Sequence, residues 1–268
     1  MDRRLFFEYL NSVTTSLEKN YGDKLVSIIL FGSLVNNNEK IMISTDVDLL
    51  VVIRDSCSLT DFKNIKQSLL KLENKFFFQT HDPDPAFIKG LQRATGMFIN
   101  FFICRVSDFK QRKFSSVFDI NIIMGNLLAP QNSVWLSLLR QHRIIWGENV
   151  FREWRTLPIM TKYDLIKSFI MNWLLATGAL LLYPFSTQLT KFSMEAMKWS
   201  LFTWKNVHYP KETLIQIIAR YIAGASKIER QALQCLMEFR KNKKSNKYFS
   251  FLAWIFVLLI HKSLFRRS

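Results

Sequence analysis

Four residues with chemical potential stand close together near the start of the chain. An apolar run from Leu25 to Phe31 ends in Gly32-Ser33, and a second apolar run opens with Asp46 and Asp48. Because side chains alternate faces in a strand, the two aspartates would point the same way, about 7 Å apart. Two carboxylates beside a glycine turn form a hard-oxygen site for Mg²⁺, which proteins hold together with substrate phosphates. Glycine lets the backbone approach a phosphate closely, and a helix after Ser33 would direct N–H groups at it.

The spacing of these residues resembles a known superfamily. A strand is followed by Gly-Ser, a twelve-residue spacer from Leu34 to Thr45, and Asp46-Val47-Asp48 on the next strand. This order is similar to that of the nucleotidyltransferases, which include DNA polymerase β and the aminoglycoside adenylyltransferases. The resemblance is carried by residues 25–53 and extends over 1–150. The alternative is a hairpin turn followed by two exposed strand acids, but a structural strand has no need of acids on one face.

The resemblance implies a reaction and a role for each residue. The reaction is the transfer of a nucleotide, AMP from ATP, onto a hydroxyl of an acceptor. Asp46 and Asp48 would hold Mg²⁺ and act as catalytic residues, while Gly32 and Ser33 would bind the nucleotide phosphates. The implied fold class is α+β, with a small mixed-sheet nucleotidyltransferase domain followed by an all-α helical bundle.

A third carboxylate is common in the superfamily, on the strand after the Asp-x-Asp pair. Here residues 97–106 predict that strand, and Asn100 occupies the expected position. An asparagine can coordinate a metal weakly, but it cannot act as a base. Another acid then serves as the base, a single metal is bound, or the protein is inactive.

A substitute base is available in the second half of the chain. Lys191, Glu195, Lys198 and Phe202 share one helix face by their spacing. In the aminoglycoside adenylyltransferases an acid on a bundle helix serves as base, so the resemblance implies that Glu195 activates the hydroxyl and Lys191 contacts phosphate. The alternative is an ordinary Lys-Glu-Lys ion pair on the surface.

The positive charge is concentrated in the second half. The chain of 268 residues carries a net charge of +16, and residues 151–268 contain 19 Lys and Arg but 6 Asp and Glu. From Thr161 onward the sequence predicts helices only, so residues 1–150 are interpreted as a nucleotidyltransferase domain and residues 151–268 as a helical bundle domain. A positive field attracts polyanions, which indicates RNA or an anionic membrane surface as a partner besides ATP. It also disfavours a cationic aminoglycoside as the acceptor.

Hydrophobic periodicity predicts the elements around these residues. Strands are expected at 25–31, 46–53, 76–79 and 97–106, with a short closing element at 143–147. Helices are expected at 2–19, 59–75, 162–183, 190–206, 211–223, 226–241 and 247–265. Three cysteines without metal spacing indicate reduced thiols and a cytoplasmic protein.

One segment near the end of the chain has two interpretations. Residues 248–260 contain no charge and are flanked by basic residues. A membrane-spanning helix needs about 20 apolar residues, so a buried bundle helix is the favoured interpretation. Contact with an anionic membrane is the alternative.

Three hypotheses for the function remain open. The first is a Mg²⁺-dependent nucleotidyltransferase acting on an unidentified hydroxyl. The second, favoured by Asn100, is a degenerate and non-catalytic protein that binds nucleotide, nucleic acid or an anionic surface. The third is a membrane-surface protein anchored by residues 240–268.

Overall fold

The strands and helices follow the apolar runs of the sequence closely. The computed structural model describes residues 3–35, 47–76, 100–154, 156–184, 189–209, 212, 214–242 and 247–267. The strands are β1 (Leu25–Phe31), β2 (Asp48–Ile53), β3 (Phe101–Arg105) and β4 (His142–Gly147). The first helices are α1 (Arg3–Tyr21), α2 (Leu59–Lys75), α3 (Val106–Lys110), α4 (Phe114–Val117), α5 (Ile122–Leu127) and α6 (Gln131–Arg140). They are followed by α7 (Lys162–Leu182), α8 (Thr190–His208), α9 (Leu214–Gly224), α10 (Lys227–Asn242) and α11 (Lys247–Arg267).

The chain divides into two compact units. The sheet unit comprises Met1–Gly125 and Gln141–Leu157, and the helical unit comprises Asn126–Arg140 and Pro158–Ser268. Helix α6 therefore belongs to the helical unit, although it precedes β4 in the sequence. The predicted α+β class, a small mixed sheet with a helical part, is confirmed. The division into domains at 1–150 and 151–268 stays a prediction.

Among the described residues, four strands form one mixed sheet in the order β3-β2-β1-β4. Strand β1 runs antiparallel to both β2 and β4, whereas β2 and β3 are parallel. The register pairs Leu30 with Leu49 and Ile28 with Val51. These four side chains are fully buried in the core that also contains residues of α1 and α2. The opposite face of the same strands carries Asp48, because side chains alternate.

Helix α2 begins with a complete capping box. The Ser58 hydroxyl accepts from the Asp61 N–H, and the Asp61 carboxylate accepts from the Ser58 N–H. Lys24 Nζ also donates to Asp61 Oδ1 at 2.8 Å. These hydrogen bonds, that of Lys24 first, lower the pKa of Asp61 to about 2. The cap confirms the predicted helix start.

The helical unit is built around three long helices. Helices α7, α8 and α11 pack against one another, and α7 begins with a capping box between Thr161 and Asp164. The Asp164 carboxylate also accepts from the Asn132 side chain at 2.9 Å, which ties α6 to the start of α7. The predicted helices of this half are confirmed within a few residues. Their apolar stripes form a continuous core over α8, α9, α10 and α11.

Some predicted elements differ from those observed. Strand β2 begins at Asp48, and β3 covers Phe101–Arg105, both shorter than expected. The predicted strand at 76–79 begins at Phe76, which instead caps the C-terminus of α2, and its remainder lies outside the described residues. Helix α6 was not predicted. Its buried side chains, including Trp135 and Leu138, leave a weak periodic signal in a short helix.

In the part of the chain that the structure describes, α7 and α11 have the length and apolar composition of a membrane span. In each, only part of the apolar window is buried inside the protein, 39% in α7 and 50% in α11. The expectation that residues 248–260 form a bundle helix holds for one face of α11, since Leu252, Phe256 and Ile260 are buried. The three cysteines, Cys57, Cys104 and Cys235, are free thiols as predicted.

Candidate active site

The ends of three strands meet where the sequence predicts the site. The register places Phe31, the last residue of β1, opposite Asp48, the first residue of β2. On the other side of β1, Phe31 pairs with His142, the first residue of β4. Asp48 therefore lies at one end of the sheet, next to the Gly32 turn, and its side chain is half-buried.

The turn after β1 is tight. Gly32 has a φ of +80°, which a residue with a Cβ rarely adopts. Its N–H donates to the Gln141 carbonyl at 3.2 Å, and its carbonyl accepts from the Val35 N–H at 3.4 Å. Residues Gly32–Leu34 form a 3-10 turn of three residues. This differs from the expected phosphate-facing α-helix directly after Ser33, and residues 36–46 lie outside the described structure.

Gly32 and Asp48 are in direct contact. A Cβ built on Gly32 would lie 2.3 Å from Asp48 Oδ2, well inside any permitted contact distance. The close approach that glycine permits here is therefore to the Asp48 carboxylate. The expectation was an approach to a phosphate, whereas a Cβ at this position would require the Asp48 carboxylate to move.

Asn100 lies beside Asp48. The parallel ladder pairs Leu49 with Phe101, and the Leu49 N–H donates to the Asn100 carbonyl at 2.8 Å. Asp48 precedes Leu49, and Asn100 precedes Phe101, so Asp48 and Asn100 are neighbours on the same face of the sheet. An amide occupies the place next to Asp48 where the resemblance implies a third carboxylate.

Aromatic rings cover the sheet next to Asp48. Phe31 and Phe102 lie with ring centroids 6.1 Å apart, and Phe118 packs edge-on against Phe102 at 5.2 Å. The ring of His142 lies 4.0 Å from that of Phe151. Apolar walls of this kind lower the local dielectric constant, which strengthens interactions between charges.

The comparisons with known proteins identify the fold. No protein-family model matches the chain, and no curated protein matches its sequence. A solved structure, spectinomycin adenyltransferase AAD(9) from Enterococcus faecalis with ATP and spectinomycin, is similar over 96% of this chain and 98% of its own. The TM-score is 0.57 and the sequence identity 14%. This chain has a nucleotidyltransferase fold. The similarity at this level of identity concerns the fold alone.

The side chains around Asp48 determine whether a metal ion fits this site. Among the described residues, no three His, Cys, Asp or Glu side chains come together as a metal site. Asp48 supplies one carboxylate and Asn100 one amide oxygen, and Asp46 lies outside the described residues. Oxygen donors of this kind fit Mg²⁺, which takes one or two carboxylates and completes its octahedron with water and substrate phosphates.

Glu195 is buried. The alternative to a catalytic role was a Lys-Glu-Lys ion pair exposed on the surface. Its exposed fraction is 6%, and Lys198 Nζ donates to its Oε1 at 2.7 Å. Lys191 stands one turn before it on the same face of α8 and is half-buried. Both residues belong to the helical unit, whereas Gly32 and Asp48 belong to the sheet unit. Glu195 and Lys198 therefore form the ion pair that the alternative predicted, but the carboxylate of this pair is buried. Charged side chains are seldom buried in proteins.

Sequence reasoning did not identify two contacts of the site. The Gln141 carbonyl fixes the Gly32 turn, and His142 lies opposite Phe31. The closing strand at 143–147 was predicted, but nothing in its sequence names β1 as its partner. One signal for the Gln141 contact was available in the sequence. Gly32 ends an apolar strand, and its backbone N–H needs an acceptor from another segment.

Proposed function

We propose that this protein is a Mg²⁺-dependent nucleotidyltransferase that moves AMP from ATP onto a hydroxyl group. The observation that carries the proposal is the contact between Gly32 and Asp48 at the end of β1 and β2. In a nucleotidyltransferase fold, this contact places a half-buried carboxylate directly beside a glycine turn. The adenyltransferase of similar fold was solved with ATP, which supports ATP as the nucleotide.

The reaction needs one bond to form and one to break. The acceptor oxygen attacks the α-phosphorus, the bond to the bridging oxygen breaks, and pyrophosphate leaves with its electron pair. Bound Mg²⁺ would neutralise the charge that develops on the phosphate oxygens. Asp48, together with Asp46, would hold that ion. The Gly32–Leu34 turn would present the backbone amides of Ser33 and Leu34, since that of Gly32 is already bound to Gln141.

The acceptor hydroxyl must lose a proton during the attack. We assign this step to Glu195, whose carboxylate is held by Lys198. Lys191 would contribute a positive charge to phosphate binding. General-base catalysis typically contributes about 10²–10⁴-fold to a rate. The net charge of residues 151–268, with 19 basic and 6 acidic residues, favours an acceptor that carries negative charge.

The direct test uses ATP labelled on the α-phosphate. The protein is incubated with labelled ATP, Mg²⁺ and a fractionated cell extract, and a labelled product that requires both protein and Mg²⁺ is expected. Asp48→Asn should abolish Mg²⁺-dependent ATP binding, measured by calorimetry, without changing the unfolding midpoint. Asp119→Asn is the matched control, because Asp119 is an exposed acid paired only weakly with Lys66. Normal binding of Mg²⁺ and ATP by Asp48→Asn would refute the site.

Asn100 favours a second candidate function. An amide beside Asp48 leaves the described part of the site with a single carboxylate, which is consistent with a protein that binds nucleotide without transferring it. ATP binding without any labelled product, across extracts and acceptor classes, would support this candidate. A cytoplasmic location, expected from the free thiols, belongs to both candidates as a proposal.

A further inference from the structure

Helix α7 carries an apolar face that the helical unit does not cover. Five apolar or aromatic side chains remain exposed on one side of it, with exposed fractions between 38% and 67%. They are Tyr163, Ile166, Ile170, Leu174 and Leu181. Their spacing of three, four or seven residues places them in one stripe along the helix. At 1.5 Å per residue the stripe is about 27 Å long.

Helix α11 extends the same face. Trp254 Nε1 donates to Thr177 Oγ1 at 3.0 Å, and the ring of Phe265 packs edge-on against Phe169 at 6.2 Å. These contacts hold α7 and α11 side by side. Phe251 and Phe265 are exposed on α11, and Phe265 is the one whose ring meets Phe169 of α7. The two stripes together are called the α7–α11 face. Exposed apolar faces of this extent usually mark an interaction surface.

The inner sides of both helices belong to the bundle. Ser168 of α7 hydrogen-bonds Thr203 of α8 at 2.7 Å and lies 3.4 Å from His261 Nε2 of α11. Asn172 donates to the same hydroxyl at 3.2 Å. Each helix therefore has one side in a protein core with polar contacts and one side free. A helix packed on one side can place its other side in a membrane interface, whereas a spanning helix needs lipid or protein all round.

The exposed charges that α7 and α11 themselves carry in the described part of the chain have one sign. Helix α11 contains no acidic residue, and the single acid of α7, Asp164, is buried. The exposed charges of the two helices include Lys162, Lys262 and Arg266. Cations next to an apolar stripe attract anionic lipid headgroups while the stripe enters the acyl boundary. A second copy of this chain would bring like charges together, and RNA offers no partner for an isoleucine and leucine stripe.

We infer that the α7–α11 face binds the surface of an anionic lipid membrane. Apolar side chains of α7 and α11 enter the interface, and the lysines and arginine at its edge contact the headgroups. The inference is independent of the proposed transferase activity. It places the helical unit on the membrane plane and does not require a spanning segment.

The first experiment measures binding of the full chain to vesicles by flotation. Vesicles of phosphatidylglycerol and phosphatidylcholine should bind the protein, and vesicles of phosphatidylcholine alone should bind it at least about tenfold less. The double variant Ile170→Glu/Leu174→Glu should lose binding by at least about tenfold, because charges enter the apolar stripe. The matched control is Leu59→Glu/Ile123→Glu, which adds the same charges at exposed apolar positions of the sheet unit.

The second experiment separates charge from apolar contact. Lys262→Glu/Arg266→Glu should weaken binding and reduce its dependence on salt, whereas Lys19→Glu/Lys71→Glu, on exposed positions of α1 and α2, should leave both nearly unchanged. Because all these positions are exposed, the variants should fold, which circular dichroism checks. Failure of the wild type to bind anionic vesicles would overturn the inference. So would a dimer in sedimentation, or a complex with single-stranded RNA, that Ile170→Glu/Leu174→Glu abolishes.

Discussion

The Cα of Gly32 lies against the carboxylate of Asp48, so that a Cβ on Gly32 would come within 2.3 Å of Asp48 Oδ2. Phe31, the residue before Gly32, faces Asp48 across the antiparallel register. The glycine turn and the carboxylate are therefore positioned by the same pair of strands. A substitution at either residue should therefore alter the position of the other.

Gly32→Ala should destabilise the protein and abolish ATP binding. The positive φ of Gly32 alone costs a residue with a Cβ about 1–3 kcal/mol, and the added carbon would displace the Asp48 carboxylate. Urea unfolding and calorimetry measure the two effects. Gly178→Ala is the control, because its Cβ would meet nothing within 4 Å, and alanine in a helix stabilises by about 0.5–1 kcal/mol.

The contact also predicts coupling between the two positions. In an Asp48→Ala background, Gly32→Ala should cost clearly less stability, because the nearest atom to the new Cβ has been removed. Equal costs of Gly32→Ala in both backgrounds would show that only the backbone conformation requires glycine.

Asn100→Asp should restore a second carboxylate beside Asp48. Without metal, two neighbouring carboxylates repel each other, so the free energy of unfolding should fall. Mg²⁺ should raise the unfolding midpoint of this variant more than that of the wild type, and turnover should rise if the enzyme is active. Asn64→Asp, an exposed position on α2, serves as the control. An identical response to Mg²⁺ in Asn100→Asp and wild type would place the metal away from β3.

Glu195→Gln should lower turnover by about two orders of magnitude, with little change in ATP affinity, if Glu195 is the base. The substitution also leaves the Lys198 ammonium without its carboxylate, which destabilises the protein. Lys198→Met should therefore recover stability in the Glu195→Gln background but should not recover turnover. Glu238→Gln, an exposed acid on α10, is the control. Recovery of both properties in the double variant would make Glu195 a structural residue.

Stability should fall in mild acid because of His261. Burial lowers the pKa of His261 to about 4, whereas an unfolded histidine titrates near 6.5. The unfolded chain therefore binds a proton that the folded chain excludes, and stability is lost as the pH falls from about 6.5 to 4. Each pH unit in this window is worth about 1.4 kcal/mol, or about 3 kcal/mol in total.

The measurement is urea unfolding at several pH values between 7 and 4. His261 Nδ1 donates to the Val257 carbonyl at 2.9 Å, so His261→Leu should be less stable at neutral pH. Its stability should nevertheless depend less on pH than that of the wild type. An unchanged slope in His261→Leu would assign the acid sensitivity to other groups.

Local patterns in the sequence determined much of this protein. The apolar run that ends at Phe31 and the glycine after it predicted β1 and its turn, and periodicity predicted α7, α8, α10 and α11 closely. These features depend on neighbouring residues, because strand and helix periods decide which side chains share a face. The Gly-Ser and Asp-x-Asp spacing was enough to predict the nucleotidyltransferase fold.

The tertiary structure alone decided which elements meet. Neither β1 nor β4 carries a local signal that names the other as its partner, and α6 joins the helical unit although β4 follows it in the sequence. The contact of Gly32 with Asp48 and the place of Asn100 beside Asp48 come from strand register. Register and packing depend on contacts between residues far apart in the chain. Their stability is set by the entropy of loop closure and by burial over the whole unit. Local sequence patterns do not contain that information.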